Sequence, residues 1–533
     1  MRAEGKFFTN TFCRLRAYFR YVSGQIRYRT ERKEKTMATV LIVGGGVSGL
    51  SAGIYACLAG HRAVVFEKHG TVGGNLTGWQ RGEYHIDNCI HWLTGTRPET
   101  PTYRMWCELG ALGDVPPVQG ESLYTCSYEG QSLSLYADTD RTEREMLAVS
   151  PKDAEETRAL FRAVRAFQHF FGIGGEGQGK FRPLLSAVPE LWRYYRLSTG
   201  ELSARFSHPL LRRFILAFWG EDFGSLALVM VFAHYGAGNG ALPAGGSLAM
   251  AERMRARLES LGGNIRTGTE VAKVCREGKR ASGVQLGGGE YVAGDYVILT
   301  GDPAVMFPSL LDLPLPAWLK RQYHDPRLIR FSSWHCAFSC ERASIPFRGD
   351  YIFDLPGEYR DALCTAQVIV REFSHELGFA PPGMTVLETM IFCTEEDAQI
   401  FIARRAEDKA AYDRMKADLA ATLTGVLVGE FPAWAGKLTL LDVWTPATYR
   451  RYTGSQMGSY MSFALPSRRF PWRAGCRVPG LSHAYLATQW QQMPGGLPIA
   501  AEGGRLAVQA LCREEERVRR THRTYPRPDP LPT

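Results

Sequence analysis

The chain has 533 residues, 45% hydrophobic and 22% charged, with 56 Gly, 29 Pro and a formal charge of +9. At roughly 100–200 residues per domain this length predicts two to four domains, and the composition excludes wholesale disorder, collagen and a mini-protein. Residues 1–36 hold ten Lys/Arg against three Glu, so the rest is nearly neutral and no nucleic-acid partner is expected for the folded body.

The leader, 1–36, interleaves Arg14, Arg16, Arg20, Arg27 and Arg29 with aromatics and lacks the apolar core of a secretory signal. It reads as a disordered or non-native upstream extension before a start at Met37, with an Arg-rich targeting segment as the alternative. No window approaches the ~18 apolar residues of a spanning helix; the longest apolar run is Leu226 to Ala233. Twelve Cys without C-x-x-C pairs or a Cys/His zinc pattern predict reduced thiols, a cytoplasmic location and no metal site. Cys336 and Cys340 fall on a strand-like run from Trp334, on one side of it.

The body opens with an apolar β-branched run, Thr39 to Val43, then Gly44-Gly45-Gly46-Val47-Ser48-Gly49, a helical stretch from Leu50 to Ala59, and a second strand, Arg62 to Phe66, ending at Glu67. Strand, G-x-G-x-x-G, helix, strand and acid in that order make a dinucleotide-binding unit. Gly44 permits the tight turn, Gly46 lets backbone approach a pyrophosphate, and Gly49 lets helix and strand pack closely. Free amides of the first helical turn face the phosphates, and Glu67 accepts from ribose hydroxyls.

A second glycine pair follows the acid in His69-Gly70-Thr71-Val72-Gly73-Gly74-Asn75. Here the chain resembles the flavoprotein superfamily of amine oxidases and phytoene desaturases, in which this continuation holds FAD; the resemblance assigns Gly73, Gly74 and Asn75 to the cofactor. After Pro243-Ala-Gly-Gly246-Ser247 come an amphipathic helix (Leu248, Met254, Leu258, Leu261), Thr269-Glu270-Val271, a hairpin at Gly287 to Gly289, and a strand, Tyr296 to Leu299, ending in Gly301-Asp302-Pro303. The same resemblance makes this the return to the nucleotide domain, with Val271 beside the adenine and Asp302 at the cofactor.

The third piece is a strand-like run, Ala484 to Trp490, then Met493-Pro494-Gly495-Gly496-Leu497-Pro498 opening a helix to about Leu511. Pro498 suits a first helical turn. Amides of Gly495, Gly496 and the helix start at Leu497 are expected to point positive partial charge at a flavin pyrimidine edge.

In detail the chain is most similar to the phytoene desaturase, carotenoid isomerase and retinol saturase branch. Tyr84-His85-Ile86-Asp87-Asn88-Cys89-Ile90-His91-Trp92, Ala380-Pro381-Pro382-Gly383 and Asp442-Val-Trp-Thr-Pro446 leading to Arg451-Tyr452-Thr453-Gly454 add to the match, which runs from about residue 38 to residue 511. Departures are Cys89 and Thr488, where the family has Gly, and Glu502-Gly503-Gly504 in place of a Ser-Gly pair.

The fold this implies is α/β: a discontinuous doubly wound, Rossmann-like FAD-binding domain (37–110, 240–305, 470–512) with a second mixed-sheet α+β substrate domain (111–239, 306–469) and a disordered tail (513–533). The implied function is FAD-dependent oxidoreduction of C=C or C–C bonds in a hydrophobic small molecule (carotenoid, retinoid or other isoprenoid lipid), by desaturation, saturation or redox-assisted isomerisation. His91 is the candidate catalytic residue, as proton donor or acceptor; Asp87 orients its loop, and Tyr449 and Tyr452 are lesser candidates. Lys180 to Leu197, basic and aromatic, follows a glycine-rich loop (172–179) and suits either an interfacial helix making peripheral membrane contact or an ordinary helix of the substrate domain. Two rivals share the architecture: a flavin amine oxidase, and a non-enzymatic prenyl-binding module like the Rab escort and GDP-dissociation inhibitor proteins, against which Gly44, Gly46, Gly49 and Glu67 speak. Substrate, redox direction, electron acceptor and oligomeric state are not written in the sequence.

Overall fold

The computed structural model describes residues 37–170, 184–218, 220–363, 366–469 and 473–524. The basic leader and the glycine-rich loop at 172–179 lie outside the described residues.

The elements that build the site are, in chain order, β1 (Thr39–Val43), α1 (Val47–Leu58), β2 (Arg62–Phe66), α2 (Gly246–Ser260), β3 (Asn264–Arg266), β4 (Tyr296–Leu299), β5 (Arg330–Glu341), β6 (Asp350–Asp354), β7 (Gln367–Glu372), β8 (Met384–Cys393), β9 (Ala484–Leu486) and α3 (Leu497–Thr524). A five-stranded sheet runs β9-β4-β1-β2-β3, every pair parallel. Its strands come from three distant stretches of sequence. Parallel strands are covered on both faces and therefore read as continuous apolar runs. In β1, Val40 and Ile42 pack with α1, α2 and α3, while Leu41 packs with Val271, Val284 and Leu299 on the other face.

Helix α1 begins at Val47, a turn earlier than Leu50, because the glycine turn leads straight into it with Gly46 as the N-cap. It crosses α3 at close range. A Cβ on Gly504 would lie 2.5 Å from the Ser48 carbonyl oxygen, and Ser51 Oγ donates to the Ala501 carbonyl at 2.6 Å. The glycine that departs from the Ser-Gly pattern is thus where the two helices touch.

Helix α3 continues to Thr524, so residues 513–524 are helical rather than a disordered tail, and 525–533 lie outside the described residues. Long-range partners hold the extension: Glu514 accepts from Tyr485 Oη at 2.9 Å and pairs with Arg477 at 2.9 Å, and Glu515 meets His61 at 3.8 Å. Strand β9 stops at Leu486, shorter than the run to Trp490. Thr488 caps a short helical turn, Gln489–Gln491, and its own N–H donates to Gln491 Oε1 at 3.0 Å. That is the local use of a threonine where the family has Gly.

The second domain is built on an eight-stranded mixed sheet in the order Thr439–Trp444, β5, β8, β7, β6, Ser122–Tyr128, Gln131–Tyr136, with Ser459–Phe463 also paired to β5. One face packs against the helices Glu395–Glu407 and Lys409–Glu430 and buries Cys336 and Cys340 there, on one side of β5 as the period of two requires. Helix Leu184–Tyr195 buries Tyr194 and pairs Arg193 with Glu156, so the described part of the basic aromatic segment packs in the domain. No helix among the described residues is long and apolar enough to cross a membrane.

Candidate functional site

The glycine stretches meet. Gly73 N–H donates to the Gly45 carbonyl at 2.9 Å, and Gly46 and Gly73 form a parallel bridge. Gly44 adopts φ +105, a conformation open to glycine. Buried Glu67 closes the turn at the end of β2: Oε2 accepts from Gly45 N–H at 2.7 Å and Oε1 from His69 N–H at 2.9 Å. Val271 starts the strand Val271–Glu277 and is buried against the same sheet. Asp302 caps the helix Pro303–Leu310; Oδ1 accepts from Ala304 N–H and from Tyr323 Oη, and Oδ2 from Gln456 N–H at 2.9 Å. Its carboxylate is therefore engaged by protein groups on both oxygens.

The amides at the start of α3 divide differently from expectation. Gly495 N–H donates to the Phe463 carbonyl at 3.3 Å and Gly496 N–H to Gln489 Oε1 at 3.0 Å. Leu497 and Ile499 N–H have no protein acceptor among the described residues. The positive end of the helix is thus carried by Leu497 and Ile499 instead of the glycine pair.

The loop from Asp87 to His91 is pinned at every residue. Asp87 Oδ2 accepts from Ser247 N–H at 2.5 Å, in the first turn of α2, and Oδ1 accepts from Ser247 Oγ at 2.6 Å and Cys89 N–H at 3.2 Å. Asn88 Nδ2 donates to the Asn75 carbonyl at 3.0 Å and its Oδ1 accepts from Tyr449 Oη at 2.8 Å. The Cys89 carbonyl accepts from Tyr460 Oη at 2.7 Å, and Ile90 N–H donates to Ser247 Oγ at 3.2 Å. Cys89 needs no glycine conformation here; burial, then the charge of Asp87, pushes its thiol up to about 12, so it stays neutral. His91 Nδ1 lies 2.7 Å from Asp350 Oδ2, the carboxylate 4% exposed. A carboxylate only accepts, so Nδ1 carries the proton and Nε2 is left for other chemistry.

Behind the loop, strand register sets Asp350 opposite Arg371 and Arg371 opposite Glu388. His335 is stacked on Trp444 at 4.8 Å and bonded to Ser333 Oγ and Tyr449 Oη. Burial, then the charge of His91, pushes it down to about 3, so it is a neutral scaffold group. Tyr452, by contrast, is 47% exposed and stands with His69 at the surface.

Glu388, which accepts from Asp87 N–H at 2.8 Å, is pushed well up by burial and then by the charge of Asp87, with Arg371 opposing. An acid raised in the folded state holds an extra proton there, so stability falls as pH rises from the ordinary value of about 4.3 toward the folded one. Glu388→Gln keeps the acceptor and removes the charge. Its melting temperature, followed by circular dichroism, is expected to gain steadily on the wild type as pH rises through that window.

A match to the family described as flavin containing amine oxidoreductase covers residues 47–512. The chain belongs to that family. That family's cofactor is FAD, and the curated proteins the chain matches include carotenoid desaturases. It is 27% identical over 289 residues to the all-trans-zeta-carotene desaturase of Myxococcus xanthus, covering 51% of this chain and 54% of that protein. It is 26% identical over 293 residues to the neurosporene-forming phytoene desaturase of Rhodobacter capsulatus, covering 52% and 54%. The matches thus span about half the length of these curated relatives. In fold it is similar to an oxidoreductase from Methanosarcina mazei (TM-score 0.57, 16% identity, 89% of this chain and 100% of that one) and to cyclohexylamine oxidase from Brevibacterium oxydans (TM-score 0.55, 14% identity, 90% and 100%).

The residues present fit FAD. The nearest neighbour of a Cβ built on Gly46 is the Gly73 carbonyl oxygen at 3.7 Å, so the fold itself does not demand a glycine there, whereas an approaching pyrophosphate would. Asn75 Oδ1 is enclosed and accepts from no protein donor. Leu497 and Ile499 N–H are spare donors at a helix start. Gly44, Gly46, Gly49, Glu67 and Gly73 would hold the nucleotide half, and Gly74, Asn75 and Leu497 the flavin half. Bound there, FAD supplies a two-electron hydride acceptor or donor.

Reading from sequence did not find Asp350, Arg371, Glu388, Ser247 or Tyr460 as part of this cluster. One signal was available for two of them: Arg371 directly follows the apolar run Val368 to Val370, and Glu388 is the one charged residue of Met384–Cys393.

Proposed function

We propose that the protein uses FAD to desaturate, saturate or isomerise C=C bonds in an apolar, polyene-like substrate. The observation that carries this reading is an apolar wall that reaches His91 through Phe218. Trp92, Phe218, Leu226, Met230, Phe392 and Tyr460 are all partly buried and packed on one core cluster, with the Phe218 ring edge-on to His91 at 5.7 Å and to Trp92 at 5.8 Å. Half-covered aromatic and aliphatic side chains suit a hydrocarbon that offers few polar handles. The carotenoid desaturases among the relatives support the same class of substrate.

In this reading Asp350 fixes the His91 tautomer, and Nε2 takes the proton that leaves one carbon as a hydride leaves its neighbour, or returns it in the reverse direction. The pinned loop holds that nitrogen in place, and the apolar wall excludes water. Anaerobic mixing of oxidised and photoreduced holoprotein with polyene hydrocarbons, retinoids and unsaturated lipids, read by flavin absorbance and product mass, is expected to show electron exchange. Reduction by amines alone would replace this reading with amine oxidation, and a colourless protein that FAD does not reconstitute would replace it with a binding module. His91→Ala is expected to retain FAD and to slow electron exchange by about 10²- to 10⁴-fold; unchanged rates remove His91 from the mechanism.

A further inference from the structure

Arg371 is a buried cation without a hydrogen bond. It is the fifth residue of β7, its side chain is 7% exposed, and none of its guanidinium N–H groups donates to a protein acceptor among the described residues. The nearest paired acid oxygen, Asp350 Oδ1, is 3.9 Å away, beyond hydrogen-bond reach. Its guanidinium carbon also lies over the ring of Phe373, 4.6 Å from the centroid. Each flanking acid has one oxygen engaged elsewhere. Asp350 Oδ2 holds His91, and Glu388 Oε1 accepts from Asp87 N–H, with Glu388 pushed toward its neutral form. Burying a guanidinium is costly unless its fork of donors meets acceptors, and here the acceptors are missing.

The sheet shows where they would come from. Asp350, Arg371 and Glu388 form one cross-strand row. Two residues along on the same face come Ile352, Ile369 and Met390, mutually opposite, and beyond Met390 comes Phe392 of the apolar wall. The charged row therefore stands at the edge of apolar surface, with His91 tied to its end through Asp350.

We infer that Arg371 receives an oxygen acceptor, a carboxylate or carbonyl, at the end of an otherwise apolar substrate, and so sets which carbon–carbon bond reaches His91. This rests on the apolar-substrate reading above and narrows its substrate class. Guanidinium binds such oxygens with two parallel N–H donors, which fixes orientation as well as affinity.

The test compares linoleate, the corresponding aldehyde and the parent diene hydrocarbon, which share a chain and differ only at its end. Binding to FAD-loaded protein is read by quenching of tryptophan fluorescence, without turnover. Wild type is expected to bind the acid or the aldehyde at least roughly tenfold more tightly than the hydrocarbon, and the tighter of the two identifies the end group. Arg371→Gln is expected to bring that ligand down to the hydrocarbon's affinity, with the hydrocarbon's own unchanged, and Arg371→Lys to fall between. Equal binding of all three by wild type overturns the inference without recourse to a variant and makes Arg371 a charge-balancing group for Asp350 and Glu388. An undiminished preference in Arg371→Gln overturns it equally. Failure of the wider reading looks different: an end-group preference in binding, but no ligand that exchanges electrons with the flavin.

Discussion

Gly49→Ala is expected to yield protein without bound FAD and with a sharply lowered unfolding midpoint. A Cβ at this position would sit 1.9 Å from the Gly44 carbonyl oxygen and 3.1 Å from its carbon, both backbone atoms of the tight turn. A flexible side chain could swing aside, but this turn is tied to Glu67 through Gly45 and to Gly73. The helix would have to retreat instead. Val47 to Ala56 are all buried, and the far side of α1 is already in contact with α3, where Gly504 leaves no room beside Ser48. Overpacking in a well-filled core costs about 1–3 kcal/mol, and a backbone clash that moves a helix belongs at or above the top of that range. Urea unfolding and flavin absorbance per protein measure the two effects. Gly46→Ala is the control. With no protein atom nearer than 3.7 Å, it is expected to leave apoprotein stability near wild type and to weaken FAD binding alone. Full FAD affinity in Gly46→Ala would show that the pyrophosphate does not approach that face.

Much of the nucleotide end was legible because its signals are local. β1, β2 and β4 occupy the residues read as strands, since buried parallel strands are short apolar runs bounded by turn residues. The glycines were legible because backbone contact is demanded at fixed offsets in a short stretch of chain. The sheet side of the site was not. Asp350 lies 259 residues from His91 and Glu388 lies 301 from Asp87, and only strand pairing brings them together. The end of α3 is illegible for the same reason: a charged stretch reads as solvent-facing tail, yet Tyr485, Arg477 and His61 from elsewhere hold its acids. Position before a helix points the amides of Gly495 and Gly496 at a ligand, but the carbonyl of Phe463 and the side chain of Gln489 take them first.

Asp87→Ala is expected to destabilise the protein by about 2–4 kcal/mol and to slow electron exchange as His91→Ala does. Asp87 joins two parts of the molecule: its carboxylate accepts from Ser247 N–H and Oγ at the start of α2 and from Cys89 N–H in the His91 loop. Removing it leaves a helix start uncapped and strands buried donors, each a recognised cost. The geometry leaves nothing to substitute. Gly246, at φ +71, has space for no side chain of its own, because a Cβ there would lie 2.3 Å from Asp87 Oδ2. Asp87→Asn offers one acceptor oxygen but turns an NH₂ toward donors, so it is expected to fall between alanine and wild type in stability. The two readouts separate two roles. If stability falls while electron exchange with a productive substrate keeps its wild-type rate, Asp87 is a cap for α2 only. If the rate falls at temperatures where the variant is folded and yellow, the tether from Asp87 through Cys89 and Ile90 is what holds His91 against Asp350, and the placement of one imidazole depends on a helix start 160 residues from Asp87.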